Sequence, residues 1–123
     1  MARPHVLVVE DDDALRELYL ELLGEAGYSV STAINGADGF ALLETQPDVV
    51  VLDLRMPVLD GYGFLRMMRS EHLQREPGIL VVSAEPDRDA LAELGPLRLI
   101  TKPFEPRLLL QEVGALVGSA YGS

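Results

Sequence analysis

The stretch VVVLDLRMPVLDGYGFL, residues 49–65, decides the fold. It opens on an uninterrupted apolar run, Val49–Leu52, which is typical of a strand that a parallel sheet covers on both faces. A carboxylate, Asp53, follows at once. After the turn residues Asp60–Gly61, apolar residues recur at helical spacing. The stretch therefore predicts a buried strand, an acidic group at its carboxyl end, and a helix that returns along the sheet.

The same alternation recurs on both sides of this stretch. Four further strands are predicted at His5–Val9, Tyr28–Ala33, Ile79–Val82 and Leu97–Ile100. The first helix is predicted from an apolar stripe of Leu15, Leu18, Tyr19, Leu22, Leu23 and Ala26, and Gly27 closes it. The other helices are predicted over about Gly36–Thr45 and Gly61–Glu71, between Pro86 and Gly95, and from Pro106 to about Val117. Strands that alternate with such helices pair in parallel through right-handed crossovers.

The composition of each strand predicts its place in the sheet. The first, third and fourth strands are apolar throughout, as central strands must be. The second alternates apolar residues with Ser and Thr, and the fifth carries Arg98, so both are expected at the edges. We therefore expect an α/β, doubly wound, flavodoxin-like fold, with five helices and a five-stranded parallel sheet of order 2-1-3-4-5.

Length and charge narrow the classes of function. The 123 residues fit one domain, with residues 1–118 as its body and 119–123 as a flexible tail or the start of a linker. A formal net charge of −10 predicts that this domain alone does not bind nucleic acid, which is itself a polyanion. No apolar run is long enough to cross a bilayer, and the lack of cysteine fits a reducing compartment. We expect a cytoplasmic protein without membrane association.

Polar and charged side chains that can take part in catalysis or bind a metal follow four of the five predicted strands. Glu10 and Asp11 follow the first strand, Asp53 the third, Ser83 the fourth and Lys102 the fifth. Ligands of open parallel sheets bind at the carboxyl ends of the strands, near the point where strand order reverses. Carboxylates about 4 Å apart repel by about 4 kcal/mol per pair at an effective dielectric near 20, so the acids must gain protons or bind a cation. An all-oxygen cluster suits Mg²⁺ or Mn²⁺. Such an ion can neutralise an incoming phosphoryl group and orient an in-line attack by Asp53.

The remaining polar groups fit the same chemistry. Lys102 can pair with phosphoryl oxygens or, before phosphorylation, with Asp53, and Ser83 can donate a hydrogen bond to a phosphoryl oxygen. Arg55 and Glu85 lie two positions beyond Asp53 and Ser83, where opposite charges can pair across the phosphoryl group and hinder the attacking water. Exposed pairs are often worth little, so two independent solvated side chains are the alternative.

Over nearly its whole length the chain resembles the receiver domain of two-component response regulators, a CheY-like family. The motifs that carry the resemblance are VLVVEDD with Glu10 and Asp11, VVVLDLRMPVLDGYGFL with Asp53, VVSAE with Ser83, and ITKPF with Lys102. The resemblance implies that Asp53 is the phosphoacceptor, Ser83 the switch hydroxyl and Lys102 the phosphoryl contact. It also implies Mg²⁺ held by Asp11, Asp53 and the backbone carbonyl of Arg55, with Glu10 acting through water.

The resemblance further implies a histidine kinase or phosphotransfer protein as one partner, and a downstream effector or a linked output domain as the other. Two features depart from the family pattern. Leu99 stands where many members carry an aromatic residue that rotates with the switch, and the stretch between Ser83 and Lys102 is shorter by roughly one helical turn. We therefore expect the output change to concentrate in Ala84–Gly95 and a symmetric dimer to be weak or absent. The bond between Lys102 and Pro103 is a candidate cis peptide.

Three other classes of function compete with this interpretation. A haloacid-dehalogenase-type phosphatase needs a second acid two residues after its nucleophile, where this chain has Arg55. A flavin carrier needs a Ser/Thr-rich phosphate loop, whereas the loop here is acidic. The main rival is a phosphorylation-independent pseudo-receiver that acts as a protein-interaction adaptor. Because every site position is filled, we favour the phosphoacceptor switch, which is no ordinary enzyme and at most catalyses its own phosphorylation and dephosphorylation.

Overall fold

Five parallel strands alternate with helices over residues 3–120, the part of the chain that the computed structural model describes. The strands are β1 His5–Val9, β2 Ser29–Ala33, β3 Val49–Asp53, β4 Gly78–Ser83 and β5 Arg98–Thr101. The helices are α1 Asp13–Glu25, α2 Gly36–Ala41, α3 Gly61–Ser70, α4 Arg88–Ala92 and α5 Pro106–Ala120, and a 3₁₀ turn, Leu42–Thr45, follows α2. The strand order is β2-β1-β3-β4-β5 with all pairs parallel, so the predicted topology is confirmed.

The sheet divides the core into two layers, because successive side chains of a strand point to opposite faces. Leu7 and Val9 of β1 pack in the layer that contains residues of α3 and α4, such as Met68 and Leu91. Val6 and Val8 pack in the other layer with residues of α1 and α5. All five residues of β3 are buried, which explains why its sequence is a continuous apolar run ending in Asp53.

The helices begin where the sequence supplies a capping side chain. Within residues 3–120, four helices have an Asp or Asn cap that accepts a hydrogen bond from a backbone N–H three residues ahead: Asp12, Asn35, Asp60 and Asp87. Gly61 then allows α3 to lie directly over β3, because a Cβ there would come within 2.4 Å of the carbonyl oxygen of Asp53. The absence of a side chain at Gly61 therefore lets the start of α3 pack directly against the end of β3.

Element boundaries differ from the predictions by small, explicable amounts. β5 lies one residue later than predicted, and β3 and β4 extend to include Asp53 and Ser83. α4 has five residues, whereas about nine were expected between Asp87 and Gly95. It ends at Ala92, because Arg69 holds the following segment through the carbonyl oxygens of Leu94 and Pro96. Gly95 lies between these two residues, and its φ of 91° is not helical.

α5 continues to Ala120 instead of stopping near Val117. Leu116 and Val117 pack against the core layer of α1, and this packing outweighs the weak helix propensity of Gly118. The predicted tail therefore begins as helix at residues 119 and 120, and residues 121–123 lie outside the described part of the chain. No helix in the described part combines the length and the apolar character that a membrane span requires.

Candidate functional site at the carboxyl edge of the sheet

Three carboxylates meet at the carboxyl ends of β1 and β3. Glu10, Asp11 and Asp53 each offer an oxygen, and these oxygens lie within 4.8 Å of one another. The two strands are neighbours, and the register that pairs Val9 with Leu52 sets Glu10 beside Asp53. Glu10 and Asp53 are buried and Asp11 is exposed, so the cluster opens to solvent on one side. The structure thus brings together the acids that the sequence predicted would converge.

Glu10 is the most confined of these acids, with only 1% of its surface exposed. Its Oε2 accepts a hydrogen bond of 3.1 Å from the amide of Asp12, and its Oε1 lies 3.3 Å from Nζ of Lys102. Burial raises the pKa of Glu10 to about 7, and the charge of Asp53 adds to this. The Asp12 amide and Lys102 act in the opposite direction. Glu10 therefore gains a proton at a higher pH than an ordinary glutamate does.

Lys102 supplies the positive charge of the site. Its Nζ lies 3.3 Å from Oε1 of Glu10 and 3.6 Å from Oδ1 of Asp53, and its side chain is only partly exposed. The peptide bond to Pro103 is cis, as predicted, and the Lys102 amide donates to the carbonyl oxygen of Ser83 at 2.9 Å. Lys102 is also the only lysine in the sequence, since every other basic side chain apart from the histidines is arginine.

Ser83, Arg55 and Glu85 lie at or just beyond the carboxyl ends of β3 and β4. Ser83 is buried at the end of β4, next to the strand that carries Asp53. The guanidinium of Arg55 lies 3.3 Å from Oε2 of Glu85, and both side chains are mostly exposed. The predicted proximity of Arg55 and Glu85 is therefore confirmed, and the pair joins the loops that follow β3 and β4.

Two further residues of this edge were not singled out as functional from the sequence. Tyr19 was read as part of the apolar stripe of α1, yet its hydroxyl is buried without a hydrogen-bond partner among the described residues. Burial raises the pKa of this hydroxyl, and the charges of Glu10 and Asp53 add to the effect. Tyr62 of α3 accepts a hydrogen bond of 2.8 Å from the amide of Asp87, at the start of α4. The available signal was a tyrosine within an otherwise aliphatic stripe, since a buried hydroxyl normally needs a partner.

The donor set fits a hard divalent cation. The clustered side chains offer carboxylate oxygens only, and this is the ligand type that Mg²⁺ prefers in proteins. Because Asp11 is exposed, water can complete the coordination, as Mg²⁺ usually requires. The arrangement can therefore hold a cation next to Asp53 while Lys102 balances the remaining charge.

Comparisons with known proteins agree with this geometry. The family described as the response regulator receiver domain matches residues 6–114. The probable transcriptional regulator ycf27 of Cyanidium caldarium is 35% identical over 92% of this chain and 46% of its own length. The transcriptional regulatory protein PrrA of Mycobacterium leprae is 37% identical over 95% of this chain and 51% of its own length. The chain thus spans about half the length of the curated relatives it matches.

Solved structures that resemble this fold are also receiver domains. The chemotaxis protein CheY4 of Vibrio cholerae superposes with a TM-score of 0.86 at 28% identity, covering 94% of this chain and 99% of that one. A CheY-like receiver domain protein of Methanospirillum hungatei gives a TM-score of 0.86 at 28% identity, covering 98% of both chains. This chain belongs to the response regulator receiver domain family of two-component systems.

Proposed function

We propose that the protein is a phosphoacceptor switch that takes a phosphoryl group on the carboxylate of Asp53. The observation that carries the proposal is the position of Lys102, whose ammonium lies 3.6 Å from Asp53 and 3.3 Å from Glu10. Asp53 is the strand-end carboxylate that faces both this cation and the acidic pair. The donor is the phosphohistidine of a histidine kinase or of a phosphotransfer protein.

The chemistry is a transfer between two nucleophiles. An oxygen of Asp53 forms a bond to phosphorus while the bond between phosphorus and the donor's imidazole nitrogen breaks. Lys102 turns toward the new phosphoryl oxygens, and Ser83 donates a hydrogen bond to one of them. Asp11, Asp53 and the backbone carbonyl of Arg55 would hold Mg²⁺, with Glu10 acting through water. That ion would supply charge neutralisation between the carboxylates and the phosphoryl group.

The movement of Ser83 toward the phosphoryl group also determines which surface of the domain changes on phosphorylation. When Ser83 is drawn toward the phosphoryl group, the segment after it, Ala84–Gly95, repacks as a shift between two existing arrangements. With five residues, α4 has a small packed face and is easily remodelled. Leu99 is partly buried in the groove beside α4 and has no polar tip to exchange with solvent, so a symmetric dimer through it is weak or absent.

The partners on the output side are a downstream effector or an output domain linked to this one. The curated relatives are about twice as long as this chain, which supports a linked domain. The formal net charge of −10 supports the proposal that this domain does not itself bind nucleic acid, and the cysteine-free sequence supports a cytoplasmic location.

Intact-mass spectrometry after incubation with a small acyl phosphate and Mg²⁺ tests the proposal. We expect one phosphoryl mass on the wild type, none on Asp53→Asn, and one on the matched control Asp89→Asn, whose carboxylate is exposed in α4. Equal labelling of Asp53→Asn would overturn the assignment of the acceptor. A wild type that is never labelled would favour the adaptor function instead.

The output is tested with beryllofluoride, which mimics the phosphoryl group. Hydrogen exchange should change mainly in Ala84–Gly95, and light scattering should still report a monomer. Changes confined to other segments, or a tight dimer induced by the mimic, would contradict the proposed output surface.

A further inference from the structure

Arg16 of α1 holds the loop that carries two of the three clustered acids. Its Nη1 donates hydrogen bonds to the backbone carbonyl oxygens of Glu10 at 3.1 Å and of Asp11 at 3.4 Å. Its Nη2 pairs with the carboxylate of Asp13 on the same helix. The Arg16 side chain is 18% exposed, so water competes little for these contacts. One side chain thus connects the first turn of α1 to the residues that follow β1.

The peptide group that joins Asp11 to Asp12 is held on both sides. Its carbonyl oxygen accepts a hydrogen bond from Arg16, and its N–H donates to Oε2 of Glu10 at 3.1 Å. The plane of this peptide therefore cannot turn without breaking one of the two contacts. The side chain of Asp11 leaves the backbone at the edge of that plane, so the orientation of the plane determines where its carboxylate lies.

The charge of Arg16 and its contacts have opposite consequences for a bound cation. On charge alone, the guanidinium repels a divalent ion in the acidic cluster, so its removal should tighten the binding of Mg²⁺. On its contacts, Arg16 supports the loop that presents Asp11, so its removal should weaken the binding of Mg²⁺. The sign of the change in affinity therefore distinguishes the two effects.

We propose that Arg16 is a positioning residue for the cation site. It holds the carbonyl oxygens of Glu10 and Asp11, and thereby keeps the carboxylate of Asp11 beside Asp53, where the clustered oxygens lie within 4.8 Å of one another. Arg16 acts through Asp11 and contacts neither the ion nor the phosphoryl group. The inference rests on the proposed function, because it concerns the Mg²⁺ that the phosphoacceptor site would hold.

Titration with Mg²⁺ at constant ionic strength, followed by amide chemical shifts, tests the inference. In Arg16→Gln the dissociation constant for Mg²⁺ should rise about tenfold, as is typical when a residue that orients a metal ligand is replaced. Arg16→Lys keeps the positive charge, and one nitrogen can still donate to both carbonyl oxygens, as Nη1 does. Its affinity should lie between those of the wild type and Arg16→Gln. Charge alone predicts that Arg16→Gln binds Mg²⁺ most tightly of the three.

Asp13→Ala is the matched control, because it removes the partner of Nη2 and leaves both contacts of Nη1. The Asp13 side chain is 88% exposed, so its ion pair is worth little and the affinity for Mg²⁺ should stay near that of the wild type. A purely structural role of Arg16 predicts a lower melting temperature in Arg16→Gln with unchanged affinity. That result, or tighter binding in Arg16→Gln than in the wild type, would overturn the inference. If Arg16→Gln does not fold, an unchanged affinity in Arg16→Lys overturns it.

Failure of the inference is distinguishable from failure of the proposed function. If the wild type binds Mg²⁺ and accepts a phosphoryl group from an acyl phosphate, but Arg16→Gln binds Mg²⁺ as tightly, only the role of Arg16 is wrong. If the wild type neither binds Mg²⁺ nor is labelled, the proposed function is wrong and the inference fails with it. A labelled wild type together with weaker binding of Mg²⁺ in Arg16→Gln supports both.

Discussion

Arg69, at the end of α3, holds the segment that follows α4 through the carbonyl oxygen of Leu94. Its Nε donates to that oxygen at 2.7 Å, a second nitrogen donates to the carbonyl oxygen of Pro96 at 2.8 Å, and a third lies 2.7 Å from Glu76. Gly95 lies between the two carbonyl groups, where a Cβ would come within 2.6 Å of the guanidinium. One side chain thus fixes the C-terminal end of the short helix α4 against α3.

Replacing Arg69 should loosen this end of α4. In Arg69→Ala the carbonyl oxygens of Leu94 and Pro96 lose their donors, so we expect a loss of about 1–3 kcal/mol in the free energy of unfolding. Hydrogen exchange should accelerate from α4 to β5, and urea unfolding measures the stability. Arg66→Ala is the matched control, since Arg66 is exposed on the same helix. Equal effects of the two substitutions would show that the contacts to the loop carry no stability.

Mg²⁺ should stabilise the protein through the acidic cluster. An ion that binds only the folded state adds about 2.7 kcal/mol at a hundredfold excess over its dissociation constant. We expect the melting temperature to rise with millimolar Mg²⁺ in the wild type and in Asp13→Ala, whose carboxylate is exposed in α1. The rise should be lost in Asp11→Ala. A melting curve that does not change across the titration would count against a metal site.

Without Mg²⁺, stability should depend on pH through Glu10. Its pKa is raised from 4.5 to about 7 on folding, so between these values the folded protein binds a proton that the unfolded chain releases. The contribution of Glu10 to the free energy of unfolding should therefore be largest below about pH 4.5 and fall as the pH rises to about 7, by roughly 2–3 kcal/mol. Urea titrations in a chelator measure it.

Glu10→Gln isolates this contribution from that of other groups. The amide does not titrate, so the difference in stability between wild type and variant should change with pH in the direction just given. A difference that stays constant from about pH 5 to about pH 7.5 would show that burial of Glu10 does not raise its pKa in solution.

The strand order and the acidic cluster could be predicted because both depend on local features of the sequence. A strand covered on both faces must be apolar throughout, as Val49–Leu52 is, and a residue at a strand's carboxyl end is placed by the strand itself. The length of α4 could not be predicted, because it depends on Arg69, which meets Leu94 only after folding. The apolar stripe likewise predicted that Tyr19 lies on the buried face of α1 but could not show that its hydroxyl lacks a partner.

The pair of Arg55 and Glu85 should slow the loss of the phosphoryl group from Asp53. Their charged groups lie 3.3 Å apart and join the loops that follow β3 and β4, so we expect them to obstruct a water that attacks the phosphoryl group on Asp53. Because exposed pairs contribute at most about 1 kcal/mol, we expect Arg55→Ala and Glu85→Ala each to shorten the phosphorylated lifetime roughly twofold to fivefold. Intact mass followed over time measures the lifetime. The double variant should be no faster than either single one, and additive effects would exclude a shared barrier.

Val58 should destabilise its own loop. It is 83% exposed with a φ of 71°, a left-handed conformation that is unfavourable for a β-branched residue. Val58→Gly should therefore exceed Val58→Ala in stability by about 1 kcal/mol, because glycine adopts positive φ freely. The order should reverse at Ala115, an exposed residue in the interior of α5, where Ala115→Gly should cost about 1 kcal/mol. Thermal melting measures all three variants, and equal stability of the two Val58 variants would contradict the prediction.

The single lysine has a practical consequence for chemical labelling. Reagents that couple dyes, affinity handles or sensor surfaces to lysine find Lys102 as the one lysine side chain, and its ammonium is paired with Glu10 and Asp53. The ion pairs hold the ammonium inside the site, where the side chain is only partly exposed, so conjugation should be slow while this pairing lasts. Where conjugation succeeds, it removes the positive charge beside Asp53. A protein immobilised through its lysine would be held by the very group that its phosphoryl site requires.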